Sequence, residues 1–537
     1  MTKRIALTAL LAALALLVTG CPQNLPPDFN AIPSASSVQV HQGDSETVGL
    51  RIEPLHGFSG EVEISLKQSD GSDLPAGISY SPTSVTVGDQ PLDFELTVTA
   101  SDTAPVGVYQ AKITFSSGKV EHSLGFAIEV VPPAGTLDTS FANGGVSVVN
   151  DLTQVQGEDD VAYSLTATAD AVYLLVRSND QLMVAKLDAD GALDTGFGNS
   201  GATNLGPLEA LATDTLDFDL DRAILVNLAG KLVATGYVVG ANEDMLLARL
   251  NSDGSLDTTF GSTGVITYDA VAGGVSGNDR GYSLLQTASG YLVAGMSYAD
   301  ATAVEQSVVA PFTADGTIDA TTVAVSGSNG YYDASYSLAV GAGGYAAAGE
   351  TLPGGARNGF LTTYDASYNL TGSQELTAFA GGRVRSLVAS GDGGYYLAGY
   401  NYNGSNFDLV VAKVLSSGGL DSAFGNGGLV VLDEVAGGGI AGSDRAFSVA
   451  VDGEGRVLVA GRSFVAGHGD DLIVIRLNSD GSLDGKFGTN GVFSYDGGNG
   501  DDGAFELTLD PSGRIVVTGY TTNADGDSDL LTLRLNP

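Results

Sequence analysis

Carboxylates dominate the chemistry this chain could perform. Asp and Glu number 63 against 23 Lys and Arg, a formal charge of −40 at pH 7 over 537 residues. Two sets of them recur at fixed places. The first lies in turns: Asp188, Asp190 and Asp194 in DADGALD, Asn251, Asp253 and Asp257 in NSDGSLD, and Asn478, Asp480 and Asp484 in a second NSDGSLD. Closely spaced Asp and Asn oxygens can form half of a calcium loop. The spacing departs from the EF-hand pattern and no distal Glu follows, so a hydrogen-bonded connecting turn is the better reading. The second set is Asp160, Asp221, Asp279, Asp333, Asp444 and Asp502, each at the start of an apolar segment, with Gly382 at the corresponding place of a fifth unit. If those segments line a channel, the six carboxylates ring one mouth, and calcium is the only cofactor they suggest. Arg222, Arg280, Arg383 and Arg445 follow the Asp position and could neutralise it instead. A feature present in nearly every unit reads as scaffold before site, because sites tend to break symmetry.

Other catalytic groups are scarce. The four His are His41, His56, His122 and His468, three of them in the first quarter of the chain. A His-based metal site or a Ser-His-Asp triad in the long C-terminal region therefore has almost no material. A carboxylate pair for glycoside hydrolysis stays open when Asp is so abundant. Trp, the usual sugar-stacking platform, is absent, although Tyr331, Tyr332, Tyr395, Tyr396, Tyr400 and Tyr402 could take its place. Nucleic-acid binding requires a basic footprint that this composition lacks. Electrostatic docking to anionic lipid fails for the same reason.

The one Cys of the chain is Cys21. It follows a leader with Lys3 and Arg4, an apolar core LLAALALLV and the small residues before a cleavage point, which together describe an export signal. The LVTGC ending resembles the lipobox of bacterial lipoproteins, and that resemblance implies lipidation of Cys21. An exported chain with a single thiol has no internal disulfide to make with it.

Segments that could position these groups repeat along the chain. LDTSF at Leu137 returns as LDTGF at Leu193, LDTTF at Leu256, LDSAF at Leu420 and LDGKF at Leu483, with worn copies TIDATT at Thr317 and NLTGSQ at Asn369. Each unit carries four short apolar runs separated by Gly, Asp and Asn turns, as in AFSVAV, RVLVAG, LIVIRL and GVFSY of the sixth unit. Runs of this kind read as strands, and the repeat length suits a propeller. An open β-solenoid competes, but its repeats are usually shorter and lack internal hairpins. The repeat region opens on a fourth-strand segment, Gly145–Val149, and stops after a third-strand segment, Leu530–Leu535. Pairing the two would close the ring and remove two exposed edges.

The LDxxFGxxG element, the LVAG strand and the LxRLNxDG element resemble the bacterial delta-60 repeat over residues 135–537. That resemblance implies a β-propeller and supplies no catalytic residues. Between Ser34 and Val131 about seven closely spaced strand segments suit a β-sandwich, and LPAGISYSPTSVTV resembles the Ig-like modules of bacterial surface proteins. The expectation is thus an all-β protein: signal peptide 1–20, tether 21–33, Ig-like β-sandwich 34–132 and a seven-bladed propeller 135–537. Its expected place is the bacterial cell envelope, lipid-anchored and periplasmic or surface-exposed. The membrane is its first partner, and a polysaccharide or another envelope protein its second. The expected role is non-catalytic recognition, scaffolding or adhesion, with a carbohydrate-active enzyme, glycoside hydrolase or lyase, as the alternative.

Overall fold

A computed structural model describes residues 25–153, 155, 157–208, 223–226, 229–240, 242–273, 277–298, 305–326, 333–437 and 442–537. The leader, Cys21, Asp221, Arg222, Tyr331 and Tyr332 lie outside the described residues. Strands account for the regular structure, and the helical elements among the described residues are two short 3₁₀ turns, Pro353–Gly355 and Thr377–Phe379. Two compact units divide the chain, one ending at Thr136 and the other running from Leu137 to Pro537.

In the first unit a four-stranded sheet (Asp28–Pro33, Ser45–Leu55, Leu92–Ala100, Ile78–Ser81) and a five-stranded sheet (Ser37–His41, Val120–Val131, Gly107–Ser117, Gly60–Gln68, Ser84–Val87) share one core. Its centre includes Phe29, Val40, Ile52, Leu96, Phe115 and Ile128. Nine strands stand where about seven were expected. The strand Asp28–Pro33 falls inside the expected tether and pairs with Leu50–Leu55. Its fully buried Phe29 explains why: an aromatic ring that can be covered outweighs the nearby prolines, which an edge strand tolerates at its end.

Among the described residues the second unit contains seven four-stranded sheets. Six follow chain order and begin with the inner strands Asp160–Ala167, Ala223–Val226, Arg280–Gln286, Asp333–Gly341, Arg383–Ala389 and Asp444–Val451. The seventh begins with Asp502–Leu509 and is completed from the far end of the unit. Val146–Val149 pairs antiparallel with Ser528–Leu535, in the register Val146↔Leu533 to Val149↔Leu530, which is the closure expected from the sequence. Each inner strand touches the inner strands of both neighbours, and Asp502–Leu509 returns to Asp160–Ala167. Second and third strands are covered on both faces, so they read as continuous apolar runs: all eight residues of Ala171–Ser178 and of Ser528–Leu535 are buried.

Two recurrent sequence features acquire physical causes. The Gly ending the LVAG strand sits under a carbonyl of the adjacent inner strand, so a Cβ on Gly295, Gly349, Gly399, Gly461 or Gly519 would strike Arg280, Ala334, Arg383, Arg445 or Gly503 O. The Asp of LDxxF pairs with a basic residue of the preceding third strand: Asp194 with Lys186 at 2.6 Å, Asp257 with Arg249 at 2.9 Å, Asp421 with Lys413 at 2.9 Å and Asp484 with Arg476 at 2.8 Å. The buried Phe of the motif lies under that cation, with Arg249 4.7 Å from the Phe260 ring centre and Arg476 4.7 Å from that of Phe487. The first copy is completed from the other end of the unit: Arg534 Nε donates to Asp138 Oδ2 at 2.7 Å and lies over Phe141.

Deleting Gly145–Val149 should therefore lower the melting temperature of the whole second unit by at least about 5 °C. Calorimetry should still show one transition for that unit. Loss of order limited to the seventh sheet would show that closure does not support the rest.

Candidate functional site

Every fully described inner strand carries a bulge. The residue skipped by the pairing register is Tyr163, Tyr282, Tyr336, Arg385, Phe447 or Phe505. A bulge re-aims one side chain out of the ladder, and here all six line one central cavity of about 80 Å³. That is room for roughly two or three waters. Arg385, 3 % exposed, lies with its guanidinium carbon 5.0 Å from the Tyr336 ring centre and 5.5 Å from that of Phe447.

The residue after each bulge ties neighbouring sheets together. An inner strand is the edge of its sheet, so its channel-side N–H groups have no further strand to meet. Ser164 Oγ accepts from Ile224 N–H at 3.2 Å, Ser283 from Leu338 at 3.1 Å, Ser337 from Leu387 at 3.0 Å, Ser386 from Val449 at 3.1 Å and Ser448 from Leu507 at 3.2 Å. Two positions break the pattern. Ala223 stands in the second sheet where the others have an acceptor, and Glu506 stands in the seventh. Glu506 Oε2 accepts from Leu165 N–H at 2.8 Å, which carries the series across the closing seam. Burial pushes the Glu506 carboxyl up to about 7, against the partial opposition of its bonds with Ser164 and Leu165.

Four of the Asp residues at the inner-strand starts cap loops. Asp160 accepts from Leu152 N–H at 2.9 Å, Asp279 from Ala270 and Val271 at 2.8 and 3.0 Å, Asp444 from Glu434 and Val435 at 2.9 and 3.3 Å, and Asp502 from Gly497 at 2.7 Å. Each fixes the chain that arrives from the preceding outer strand. Asp333 is buried to 3 % exposure. Burial raises the carboxyls of Asp160, Asp279, Asp444 and Asp502, with Asp444 at about 6. Gly382 departs from the pattern because a Cβ there would strike Tyr400 O. The Arg residues that follow these positions also turn elsewhere: Arg280 pairs with Glu243, Arg383 with Glu350, and Arg445 lies over Phe407 at 4.6 Å.

Turn carboxylates are likewise bonded within their turns. Asp188 Oδ1 accepts from Asp190 and Ala192 N–H at 3.0 Å each. Asp253 accepts from Ser255 N–H and Oγ at 2.9 and 2.6 Å, and Asp480 from Ser482 at 2.9 and 2.7 Å. Asn251 and Asn478 donate to Ser255 and Ser482. Among the described residues no three acidic, imidazole or thiol groups stand where they could hold a metal ion. The Tyr platform is not a surface either. Tyr395, Tyr396 and Tyr400 are 7, 4 and 4 % exposed, and Tyr402 alone of the described four is open, at 47 %.

A larger concavity lies where the repeat is most worn. A groove of about 390 Å³ runs between Val325–Ser326 and the fourth sheet, with Asp333, Phe360, Leu370, Ser373 and Glu375 among its walls. Leu370 and Ser373 belong to the degraded copy NLTGSQ. Glu375 accepts from Asn358 Nδ2 at 2.5 Å. The sequence signal for this groove was the loss of the LDxxF motif itself.

Glu506 has a testable consequence. Its carboxyl is raised in the folded state from an ordinary 4.5 to about 7, so its contribution is fully present below the lower value and is lost as pH rises through the upper one. Stability should fall across that window, and Glu506→Gln should flatten the fall by about 3 kcal/mol, read from denaturant melts at several pH values. An identical pH profile in the variant would remove Glu506 from the account.

A family model described as a domain of unknown function (DUF5122) β-propeller matches residues 230–260, 455–487 and 511–537. No curated protein matches the chain. Among solved structures, a quinonprotein alcohol dehydrogenase-like protein from Bacteroides thetaiotaomicron is 9 % identical over 89 % of this chain and 96 % of its own, with a TM-score of 0.30. A family 123 glycoside hydrolase from Clostridium perfringens is 11 % identical over 20 % of this chain and 28 % of its own, with a TM-score of 0.17. The chain thus spans little more than a quarter of that hydrolase. The periplasmic chaperone SfaE is 10 % identical over 30 % of this chain and 95 % of its own, with a TM-score of 0.17. Superpositions this loose carry no argument, and the assignment rests on the family model together with the sheets described above. The second unit is a β-propeller-type domain in an all-β chain.

Proposed function

We propose that this chain is an exported bacterial lipoprotein whose propeller serves as a non-catalytic recognition or scaffold module in the cell envelope. In this reading Cys21 carries a diacylglyceryl anchor and residues 34–132 form an Ig-like spacer. Residues 135–537 form a propeller of seven blades. Seven four-stranded sheets with cyclic contacts between their inner strands support the blade count. Two sheets on one core support the sandwich.

The observation that carries recognition over catalysis is the contrast between channel and groove. At the waist of the channel, aromatic rings and Arg385 leave about 80 Å³, too little for a sugar ring. The groove beside the worn fourth repeat has about 390 Å³, within the usual range of ligand pockets. Its walls combine the exposed apolar surface of Leu370 and Val325 with hydroxyls and two carboxylates, the buried Asp333 and Glu375, which is held by an amide. A polysaccharide segment or a loop of another envelope protein suits such a wall.

Binding of the full chain to a panel of bacterial polysaccharides should be weakened by Leu370→Asp without any turnover. Hydrolysis or lysis of a panel member, abolished by Glu375→Gln, would replace this reading with the carbohydrate-active one. For the anchor, Cys21→Ser should move the protein from the membrane to the soluble fraction, because two acyl chains hold a membrane stably. A variant that stays membrane-bound would contradict lipidation.

A further inference from the structure

Three sheets bring their third and fourth strands together on facing carboxylates. One step beyond the last paired residues, Asp244 faces Asp269 in the second sheet, Asp408 faces Asp433 in the fifth, and Asp471 faces Asp496 in the sixth. Like charges directly opposite on neighbouring strands are destabilising. The loop cap of the following sheet adds a third negative group. Asp279, Asp444 and Asp502 accept from Ala270, Glu434 and Gly497, the residues immediately after Asp269, Asp433 and Asp496.

Two of these seams contain a neutral mediator. Asn242 Nδ2 stands 3.4 Å from Asp244 Oδ1 and 3.3 Å from Asp269 Oδ1, and also donates to the Gly277 carbonyl. Asn406 Nδ2 stands 3.4 Å from Asp433 Oδ1 and donates to the Gly442 carbonyl, while the facing Asp408 Oδ1 accepts from Asn403 Nδ2 at 2.7 Å. Both Asn residues lie two positions before the third-strand Asp. In the sixth sheet that position is Gly469, at φ +102°, where a Cβ would strike Asp501 Oδ1. No amide can enter there. His468 Nδ1, 2.8 Å from Asp496 Oδ2, reaches that carboxylate from the solvent side. Asp471 is 8 % exposed, and its Oδ1 is closed off from solvent with no hydrogen-bond partner. Burial, then the charges of Asp496 and Asp502, push its carboxyl up to about 6. Asp471 Oδ1 is thus a buried acceptor without a donor, close enough to Asp496 and Asp502 to feel their charges.

We propose that the seam between the sixth and seventh sheets binds one divalent, oxygen-seeking cation of the calcium type between Asp471 Oδ1 and Asp496, where the sister seams hold an Asn amide. Two carboxylates are its protein anions, and water completes the shell. So small a charge set suits an exchangeable ion with a Kd of about 10⁻⁴–10⁻³ M, as in extracellular modules. Asp496, a third exposed, leaves a path from solvent.

Terbium, a calcium mimic, tests this directly, because Tyr495 adjoins Asp496 and the chain has no Trp to compete as sensitiser. The full chain should give saturable Tyr-sensitised terbium emission that calcium displaces, and its melting temperature should rise with millimolar calcium. Asp471→Asn should weaken terbium binding by at least about tenfold, whereas Asp408→Asn in the sister seam should leave it unchanged. Absence of saturable emission from the unmutated chain would overturn the proposal, as would emission indifferent to Asp471→Asn. A melting temperature that rises on acidification but ignores calcium would show that a proton, not a metal, fills the gap.

Discussion

Pairing of Val146–Val149 with Ser528–Leu535 is the interaction on which the second unit depends. A sheet can end in an open edge, but a ring of sheets cannot close unless its first and last members meet. Here the first segment of the unit supplies the outer strand of the last sheet. The same seam is held by three sets of contacts. Outside are the strand pairing and the Arg534–Asp138 ion pair; inside, Glu506 accepts from Leu165 across the channel wall. The contacts between inner strands, the serine-to-backbone links and the cover over each central strand all presuppose that closure.

The large negative charge is distributed by the same logic. The LDxxF Asp holds a third-strand cation, the inner-strand Asp caps a loop, and the turn Asp organises its own turn. Basic residues are few, and the repeat places them where a carboxylate and an aromatic ring can share them. Where one partner is missing, the other tends to go. Thr363 stands at the basic position of the unit that has lost the Asp, and Thr371 Oγ1 donates to it instead. The third unit keeps Asp319 opposite Pro311, and its backbone bond to Pro311 O survives at 2.9 Å without an ion pair. Repetition thus serves architecture, and the places that depart from it, the groove by Leu370 and the seam at Gly469, are where binding is proposed.

Much of this was legible in the sequence for definite reasons. Strands with both faces covered must be apolar throughout, so the runs stood out between Gly and Asp turns. Register followed from counting strand types, which is how the pairing of Val146–Val149 could be anticipated. Side-chain destination was harder to read. Tyr395, Tyr396 and Tyr400 lie on strands with two covered faces, so their clustering marked core rather than surface. The Asp residues at the inner-strand starts looked like a ring because one occurs in nearly every unit. Their partners are backbone N–H groups of an incoming loop, which no residue pattern reveals. The bulges were also invisible, since a skipped residue changes no composition. The strand at Asp28–Pro33 was obscured by Pro33 and by the prolines that precede it.

Native-state hydrogen exchange of the full chain tests the central claim most directly. If closure holds the ring as one cooperative unit, amides of Val146–Val149 and Leu530–Leu533 should exchange only through global opening of the second unit, with the same free energy as those of the central strand Val457–Val465. Exchange of Val146–Val149 through local opening, at a markedly lower free energy while the other strands stay protected, would contradict it.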